Sequence, residues 1–238
     1  YNINILLAAL LICCCYSCED DYLQELNPNG ISTDIFWSNL DETESSLTGV
    51  YSAMLNTYVH NIGAEATRSD MAFPRSRINP TGFNVPYYFK TFNNGDRKVR
   101  QKWEACYQVI FRANQTIEGL QRLQDQSSDP RWIVQMAQAR FFRGLNHFYL
   151  HTNFNNGEII IRDKVPVSNE DFNKGVSSYQ EVINFFRADL MYAYENLPTQ
   201  YESSPENVGR ATAGAAATIL GTSHLYEEEY SEAMTYLN

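Results

Sequence analysis

Residues 209–237 read "GRATAGAAATILGTSHLYEEEYSEAMTYL", and the fold is decided by how small residues are spaced in this stretch. Gly221 and the run "AGAAA" let one helix approach a partner closely, and Ala233 does the same from the other side. Leu237 stands where a large residue is needed to fill the remaining space. The stretch therefore predicts a tightly packed helix pair whose first helix begins at Arg210.

The same residues stand at the offsets of a tetratricopeptide repeat. The matching positions are Ala217, Leu220, Gly221, His224, Ala233 and Leu237, with His224 where Tyr is commoner. A second, looser match lies at residues 143–147. Because such repeats need several stacked neighbours to bury a core, the sequence predicts an all-α scaffold of helical pairs with long irregular loops.

Two amphipathic helices are predicted upstream of the loosely matching stretch. Asp41 followed by Glu44 is typical of a capping box at the start of the first helix. Apolar residues at helical spacing then mark the face of a second helix at Trp103, Tyr107, Ile110, Phe111, Ile117 and Leu120. Asn114 lies on that face, so it needs hydrogen-bond partners and can fix a neighbouring backbone.

Clear start signals mark the next two helices. Asp129 before Pro130 predicts one helix start, and Ser178 with Glu181 predicts a capping box at the other. Between these helices, "NFNNGEIIIRDKVP" (residues 153–166) predicts a loop with a short strand at 159–161. Residues 60–98 show no period and are rich in Pro, Gly, Asn and aromatic residues, so we expect a long loop there, which is often functional.

The amino-terminal segment carries an apolar run and a cysteine cluster, "ICCCYSCEDD" at residues 12–21. The run is too short to span a bilayer comfortably and is typical of a secretory signal. Cys18 follows the small Ser17 and precedes acidic residues, like the lipidated first residue of a bacterial lipoprotein. We therefore predict a lipoprotein signal peptide at 1–17, lipidation at Cys18, and an irregular tether at 18–40. Cys106 is expected to be a small core residue.

The charge distribution limits the classes of partner. The net charge of −10 argues against nucleic acid. The segment from Arg68 to Lys102, however, holds eight basic residues and only two acidic ones, Asp70 and Asp96. Such a segment is either a ligand surface or a solvated loop whose charges balance the neighbouring helices.

Five stretches, taken in order, resemble the SusD/RagB family of nutrient-binding lipoproteins. They are "CEDDYLQELNPNGISTDIFW", "ESSLTGVYSAM", "WEACYQVIFRANQTIEGL", "QARFFRGLNHFYL" and the opening stretch. The resemblance implies a cell-surface protein held on the outer membrane by lipid. It would capture an oligo- or polysaccharide and deliver it to a SusC-like, TonB-dependent β-barrel transporter. It also implies that residues 41–238 form a SusD-like helical domain that is incomplete at its carboxyl end.

Sugar binding needs aromatic platforms and planar polar side chains, and the segment 68–102 supplies both. The candidate glycan-binding residues are Asp70, Arg75, Arg77, Tyr87, Tyr88, Phe89, Phe92, Asn93 and Asn94. The excess of Arg and Lys favours an acidic glycan. The alternative is that most of these aromatic residues pack the loop onto the helices.

Other functional classes are less well supported. His147 and His151 lie four residues apart but lack the Glu of an HExxH motif, so a packing or surface role is favoured over metal binding. The acidic run 227–229 is expected to be solvated at a turn between helices. We predict no enzymatic activity, no cofactor and no metal. The rival function is a tetratricopeptide-type protein-interaction scaffold on the outer membrane, without a glycan site of its own.

Overall fold

The structure, a computed structural model, describes residues 37–69, 71–73 and 85–237 and contains no β-strand within those ranges. Its α-helices are α1 (Leu40–Met54), α2 (Thr57–His60), α3 (Ile62–Arg68), α4 (Val85–Tyr88), α5 (Arg97–Arg122), α6 (Pro130–Asn153), α7 (Asn169–Phe172), α8 (Tyr179–Asn196), α9 (Ala213–Tyr226) and α10 (Tyr230–Leu237). Short 3-10 turns occur at Gln124–Gln126, Asn155–Gly157 and Pro205–Asn207. None of the described helices has the length and apolarity needed to span a membrane.

The long helices stack in chain order, which confirms the predicted scaffold of helical pairs. α1 packs on α5, α5 on α6, α6 on α8, α8 on α9, and α9 on α10. α6 and α8 are antiparallel, because Arg140 contacts Asp189 while His151, further along α6, contacts Tyr179 at the start of α8. The largest fully buried apolar side chains include Phe186, Leu47, Ile110, Leu120, Leu150, Ile183, Leu190 and Leu220. Cys106 is also fully buried in this core, as predicted, and burial raises the pKa of its thiol to about 12.

The α9–α10 pair has the close approach that its small residues predict. A Cβ atom at Gly221 would lie 2.4 Å from Cγ of Leu237, so only glycine fits this crossing without displacing that side chain. Ala233 is buried on the opposing helix. The predicted helix start at Arg210 is wrong, because Thr212 is the N-cap and accepts a hydrogen bond from the backbone of Ala215.

Of the four helix starts predicted from the sequence, those at Asp129 and Ser178 are confirmed. Asp129 caps α6 by accepting a hydrogen bond from the backbone N–H of Arg131 at 2.9 Å. The Glu181 carboxylate accepts from the backbone N–H of Ser178 at 2.8 Å, which completes the capping box of α8.

The capping box predicted at the start of α1 is wrong. Asn39 is the N-cap, and its side-chain oxygen accepts hydrogen bonds from the N–H groups of Asp41 and Glu42. Glu44 instead forms a 2.6 Å ion pair with Arg210, far away along the chain. The local cap is thus supplied by Asn39, while Glu44 takes part in a long-range charge pair that fixes the start of the α9 region on α1.

The long irregular loop predicted at residues 60–98 is only partly present. α3, α4 and the first residues of α5 lie inside it. Asn61 adopts a left-handed conformation with φ of 31°, which ends α2 and begins α3 one residue later. Helices this short leave no visible period in the sequence.

Residues 158–167 run extended across α5 and α6, but the strand predicted at 159–161 is absent from the described chain. Side chains take the place of a neighbouring strand. The Tyr107 hydroxyl donates to the Ile160 carbonyl at 2.8 Å and accepts from the Ile160 N–H at 3.1 Å. The Asn114 amide donates to the carbonyls of Arg162 and Lys164 at 3.0 and 3.2 Å. The prediction that Asn114 fixes a neighbouring backbone is confirmed.

A buried charge cluster supports this extended segment from below. The Arg143 guanidinium donates twice to the Asp189 carboxylate, at 2.7 and 2.9 Å, and Arg140 donates to it at 2.7 Å. Arg143 also donates to the Asn114 side chain and to the Asp163 carbonyl, both at 2.9 Å. The buried charges are therefore paired, as the low dielectric of a core requires.

The two histidines of α6 pack in the core, as predicted. His147 accepts the N–H of Arg162 on Nε2, so its Nδ1 carries the proton and donates to the Arg143 carbonyl at 2.8 Å. Burial lowers the pKa of His147 to about 4. Nδ1 of His151 donates to the Gly157 carbonyl at 2.9 Å.

The acidic run 227–229 is not simply solvated, and that prediction is wrong. The Glu229 carboxylate pairs with Arg187 at 2.8 Å and accepts from His224 at 2.6 Å. Glu227 accepts the Tyr179 hydroxyl at 2.6 Å. Two of the three acids thus tie the α9–α10 turn to α8.

Candidate functional site

Cys18 and the candidate ligand residues Asp70, Arg75 and Arg77 lie outside the described residues, as does the segment 1–36. Tyr87 is buried, and its ring stacks on Phe92 with centroids 4.7 Å apart and planes 11° apart. The Lys98 ammonium lies 5.6 Å from the centroid of the Tyr87 ring. These contacts make Tyr87 a support for the loop rather than an open platform.

The remaining loop candidates are more accessible. Phe89 is 55% exposed and meets Tyr88 edge to face at 5.1 Å. Asn93 shapes the turn before α5: its side-chain oxygen accepts the Gly95 N–H at 2.8 Å, and its own N–H donates to Asp96 at 2.6 Å. Asn94 is exposed.

The charge excess of this region is smaller in the structure than in the sequence. Arg68 and Lys102 both pair with Glu65, at 2.8 and 2.9 Å, and Arg100 pairs with Glu104 at 3.6 Å. Both glutamates lie outside the counted segment, so counting along the chain overestimates the local positive charge. The case for an acidic ligand is weakened accordingly.

A groove runs between α5 and residues 154–176, and we call it the α5 groove. It consists of two depressions that share Trp103. One, of about 440 Å³, is lined by residues that include Asn94, Arg100, Trp103, Phe154, Asn155 and Glu158. The other, of about 390 Å³, is lined by residues that include Trp103, Tyr107, Phe111, Arg162, Lys164 and Phe172.

The α5 wall of the groove follows from helix geometry. Trp103, Tyr107 and Phe111 are four residues apart, so they share one face of α5. Trp103 packs against Tyr107 at 4.8 Å and edge to face against Phe154 at 5.1 Å. Its indole N–H has no hydrogen-bond partner among the described residues. Phe111 and, across the groove, Phe172 are 41% and 60% exposed.

The cations of the groove are largely committed to its far wall. The Arg162 guanidinium donates to the backbone carbonyls of Asp171 and Phe172, the latter at 3.0 Å. Lys164 pairs with the Asp171 side chain at 2.7 Å and holds the pKa of that carboxyl well below its usual range. The groove therefore presents aromatic faces, carboxamides and an indole N–H without a described partner more than unpaired positive charge.

Among the candidates predicted from the sequence that the structure describes, only Asn94 lines the α5 groove. The sequence pattern places Trp103 and Phe111 on the apolar face of their helix, and it does not mark Phe172. The available signal was the aromatic character of positions 103, 107 and 111, because a purely buried stripe is served as well by aliphatic side chains.

The chain matches a protein-family model over residues 21–225, and that family is described as SusD-like, starch-binding and associating with the outer membrane. No curated protein matches the chain.

Several solved structures share the fold. A SusD-like carbohydrate-binding protein from Bacteroides fragilis superposes with a TM-score of 0.71 at 22% identity, over 84% of this chain and 40% of its own. A SusD superfamily protein from Bacteroides vulgatus gives 0.70 at 23% identity, over 85% and 43%. A laminarin-binding SusD-like protein gives 0.67 at 24% identity, over 83% and 42%. The chain thus spans about two fifths of the length of these structures.

Proposed function

Because the chain belongs to the SusD/RagB family, we propose that it binds an oligo- or polysaccharide in the α5 groove and on the adjoining residues 88–94. The observation that carries this proposal is the half-buried Trp103, whose indole N–H is unpaired among the described residues. It lines the same depression as the exposed rings of Phe111 and Phe172. Pyranose rings offer flat C–H faces to aromatic rings and hydroxyl groups to the indole N–H.

The candidate residues of the loop have two kinds of role in this proposal, ligand contact and support of the loop. Asn94 lines the groove and Phe89 is exposed in the same loop, so we assign these two to ligand contact. Tyr88 supports Phe89, while Tyr87, Phe92 and Asn93 hold the loop in shape. Asp70, Arg75 and Arg77 remain proposed contacts from the same loop.

The proposed setting is the outer face of the outer membrane, with a lipid at Cys18. The description of the family as outer-membrane-associated supports this setting. A multiply acylated cysteine would anchor the chain stably, since each buried CH₂ contributes about 0.8 kcal/mol. Labelling with a radioactive fatty acid should mark the wild type and not Cys18→Ala, and an unlabelled wild type would contradict the anchor.

The proposed partner is a SusC-like, TonB-dependent β-barrel, to which the bound glycan would be delivered without cleavage. Co-purification of a large β-barrel from outer membranes would support the partner. Incubation with the bound polysaccharide should release no reducing ends, and their release would contradict a purely binding role.

The second candidate function is a protein-interaction scaffold without a glycan site. It is favoured by the apolar side chains that α9 and α10 expose, which are Leu225, Tyr226, Tyr230, Met234 and Leu237. Helical repeat scaffolds bind partners through such surfaces. Under this alternative the barrel would still co-purify, but no glycan would bind.

Affinity gels containing individual polysaccharides separate the two functions. The wild type should be retarded by at least one polymer, and Phe111→Ala combined with Phe172→Ala should restore most of its mobility. The control combines Val167→Ala with Val208→Ala, which removes two apolar side chains, 81% and 83% exposed, that line neither depression of the groove. Loss of retardation in the control, or unchanged retardation in the groove variant, would contradict the proposed site.

A further inference from the structure

A second depression lies where the end of α6 meets the start of α8 and the end of α9, and we call it the α6-end pocket. Its volume is about 420 Å³, and its lining includes His151, Asn153, Asn156, Tyr179, Tyr226 and Glu227. None of the described candidate glycan-binding residues lines it. The pocket is separate from the α5 groove but borders it, because Phe154 and Asn155 line both.

The backbone of the pocket is specifically shaped. Asn155, Asn156 and Gly157 have φ values of 44°, 52° and 91°, so three successive residues are left-handed and turn the chain sharply after α6. A Cβ atom at Gly157 would lie 2.6 Å from both the His151 and the Tyr179 rings. Glycine is therefore required for these two rings to close the floor of the pocket.

The pocket presents hydrogen-bond acceptors that have no partner among the described residues. His151 is only 7% exposed, and since its Nδ1 donates to a backbone carbonyl, the lone pair of Nε2 is left without a described donor. Glu227 uses one carboxylate oxygen to accept the Tyr179 hydroxyl, which leaves the other without a donor among the described residues. That hydrogen bond raises the pKa of Tyr179 to about 12, so the hydroxyl keeps its proton.

An open aromatic face completes the pocket. Tyr226 stacks on Phe148 with centroids 5.8 Å apart and planes 29° apart, yet it is 64% exposed. One side of its ring is therefore packed, while the other is available to a ligand. Among the residues that line the pocket none is Lys or Arg, and Glu227 brings negative charge.

We propose that the α6-end pocket binds one neutral sugar residue, stacked on Tyr226 and donating hydroxyl hydrogens to Nε2 of His151 and to Glu227. Acceptors beside a carboxylate favour a ligand that donates hydrogen bonds and carries no negative charge. This inference rests on the proposed function and extends it. The pocket is a second subsite, continuous with the α5 groove, for a polymer long enough to reach both.

Chain length is the signature of such a subsite. A disaccharide is expected to fill only one of the two sites, whereas a longer oligosaccharide gains affinity from both sites at once. The loss caused by removing the Tyr226 ring should therefore grow with the length of the ligand. A purely structural role for Tyr226 would weaken short and long ligands alike.

The test compares Tyr226→Ala with Tyr230→Ala, a matched control that is 61% exposed and does not line the pocket. Laminarin, amylopectin, xylan and galactomannan are screened in affinity gels, and oligosaccharides of the retained polymer are titrated by calorimetry. Tyr226→Ala should weaken binding of long oligosaccharides by about tenfold and of the disaccharide by less than about twofold, as expected for loss of one aromatic contact. Tyr230→Ala should change neither.

The outcomes separate the two proposals. If Tyr226→Ala binds long oligosaccharides like the wild type while Phe172→Ala weakens them, the pocket is not a subsite and the α5 groove stands. Equal weakening of short and long ligands also overturns the subsite. If the wild type retains none of the four neutral polymers, the inference fails, and retention of an acidic polymer such as polygalacturonate would then preserve the proposed function alone.

Discussion

Two surfaces lie on opposite sides of the extended segment 158–167 and the chain that flanks it. They differ in whether their polar groups have hydrogen-bond partners. On the inner side Arg143 and His147 give their hydrogen-bonding groups to the backbone of the segment or to each other. On the outer side the indole N–H of Trp103 has no partner within the described chain, although it lies beside the same segment. Polar groups that are saturated stabilise the fold, whereas those left unsatisfied beside aromatic faces are available to a ligand.

Breaking the inner side should have the largest effect. Asp189→Ala removes the carboxylate that pairs with both Arg140 and Arg143, leaving buried positive charge without compensation. The free energy of unfolding should fall by about 3–5 kcal/mol, as for other buried pairs that lose one partner. Denaturant unfolding followed by circular dichroism measures this change.

The control for that prediction is Asp163→Ala, which removes an exposed 3.1 Å pair with Lys174 while sparing the Asp163 carbonyl that Arg143 uses. It should change stability by no more than about 0.5 kcal/mol, as expected for a surface pair. Similar losses of unfolding free energy in the two variants would show that the buried cluster stabilises the fold no more than an exposed ion pair does.

The pH dependence of stability tests the same inner side at His147. Its pKa is about 4 in the folded protein, below the ordinary value of 6.5, so the unfolded chain takes up a proton before the folded one does. The contribution of His147 is complete above the ordinary value and is lost as the pH falls towards 4. From about pH 7 to about pH 4.5 the wild type should lose roughly 2 to 3 kcal/mol more than His147→Gln. Parallel pH profiles for the two proteins would refute this assignment.

A comparison of two tryptophans tests the role of the outer side in ligand binding. The indole N–H of Trp132 donates to the Leu120 carbonyl at 2.8 Å, whereas that of Trp103 has no described partner. Trp103→Phe should weaken glycan binding by about tenfold, the effect of losing one hydrogen bond to ligand, with little change in stability. Trp132→Phe should lower stability by about 1 kcal/mol and leave binding unchanged. Calorimetric titration and denaturant unfolding of both variants measure the two effects, and the reverse pattern would contradict the account.

Much of the fold could be predicted because its determinants are local. The caps at Asp129 and Ser178 act within four residues, and Gly221 with Ala233 defines a helix pair within one short stretch. The predictions at Glu44 and at residues 159–161 failed because the structure there depends on contacts between residues far apart along the chain. Glu44 pairs with Arg210 instead of capping α1, and residues 158–167 find side-chain partners on α5 and α6 instead of a strand.

The site was harder to predict for the same reason. Position in the sequence points to Asn94 and Phe89, but the groove takes its other wall from residues 154–176, which no local pattern places beside α5. Counting charges along the segment 68–102 fails as well. Glu65 and Glu104 lie outside that segment, yet they pair with basic residues inside it. Aromatic residues on a helix face belong to the core or to a ligand surface, and only their neighbours in space decide between the two.

Hydrogen exchange with and without bound polysaccharide tests the central claim, that ligand occupies the α5 groove, most directly. The account predicts slower amide exchange at residues 89–104 and 154–176 in the complex, and unchanged exchange in α10. Protection confined to α10, or none anywhere under conditions where the polymer is bound, would contradict it.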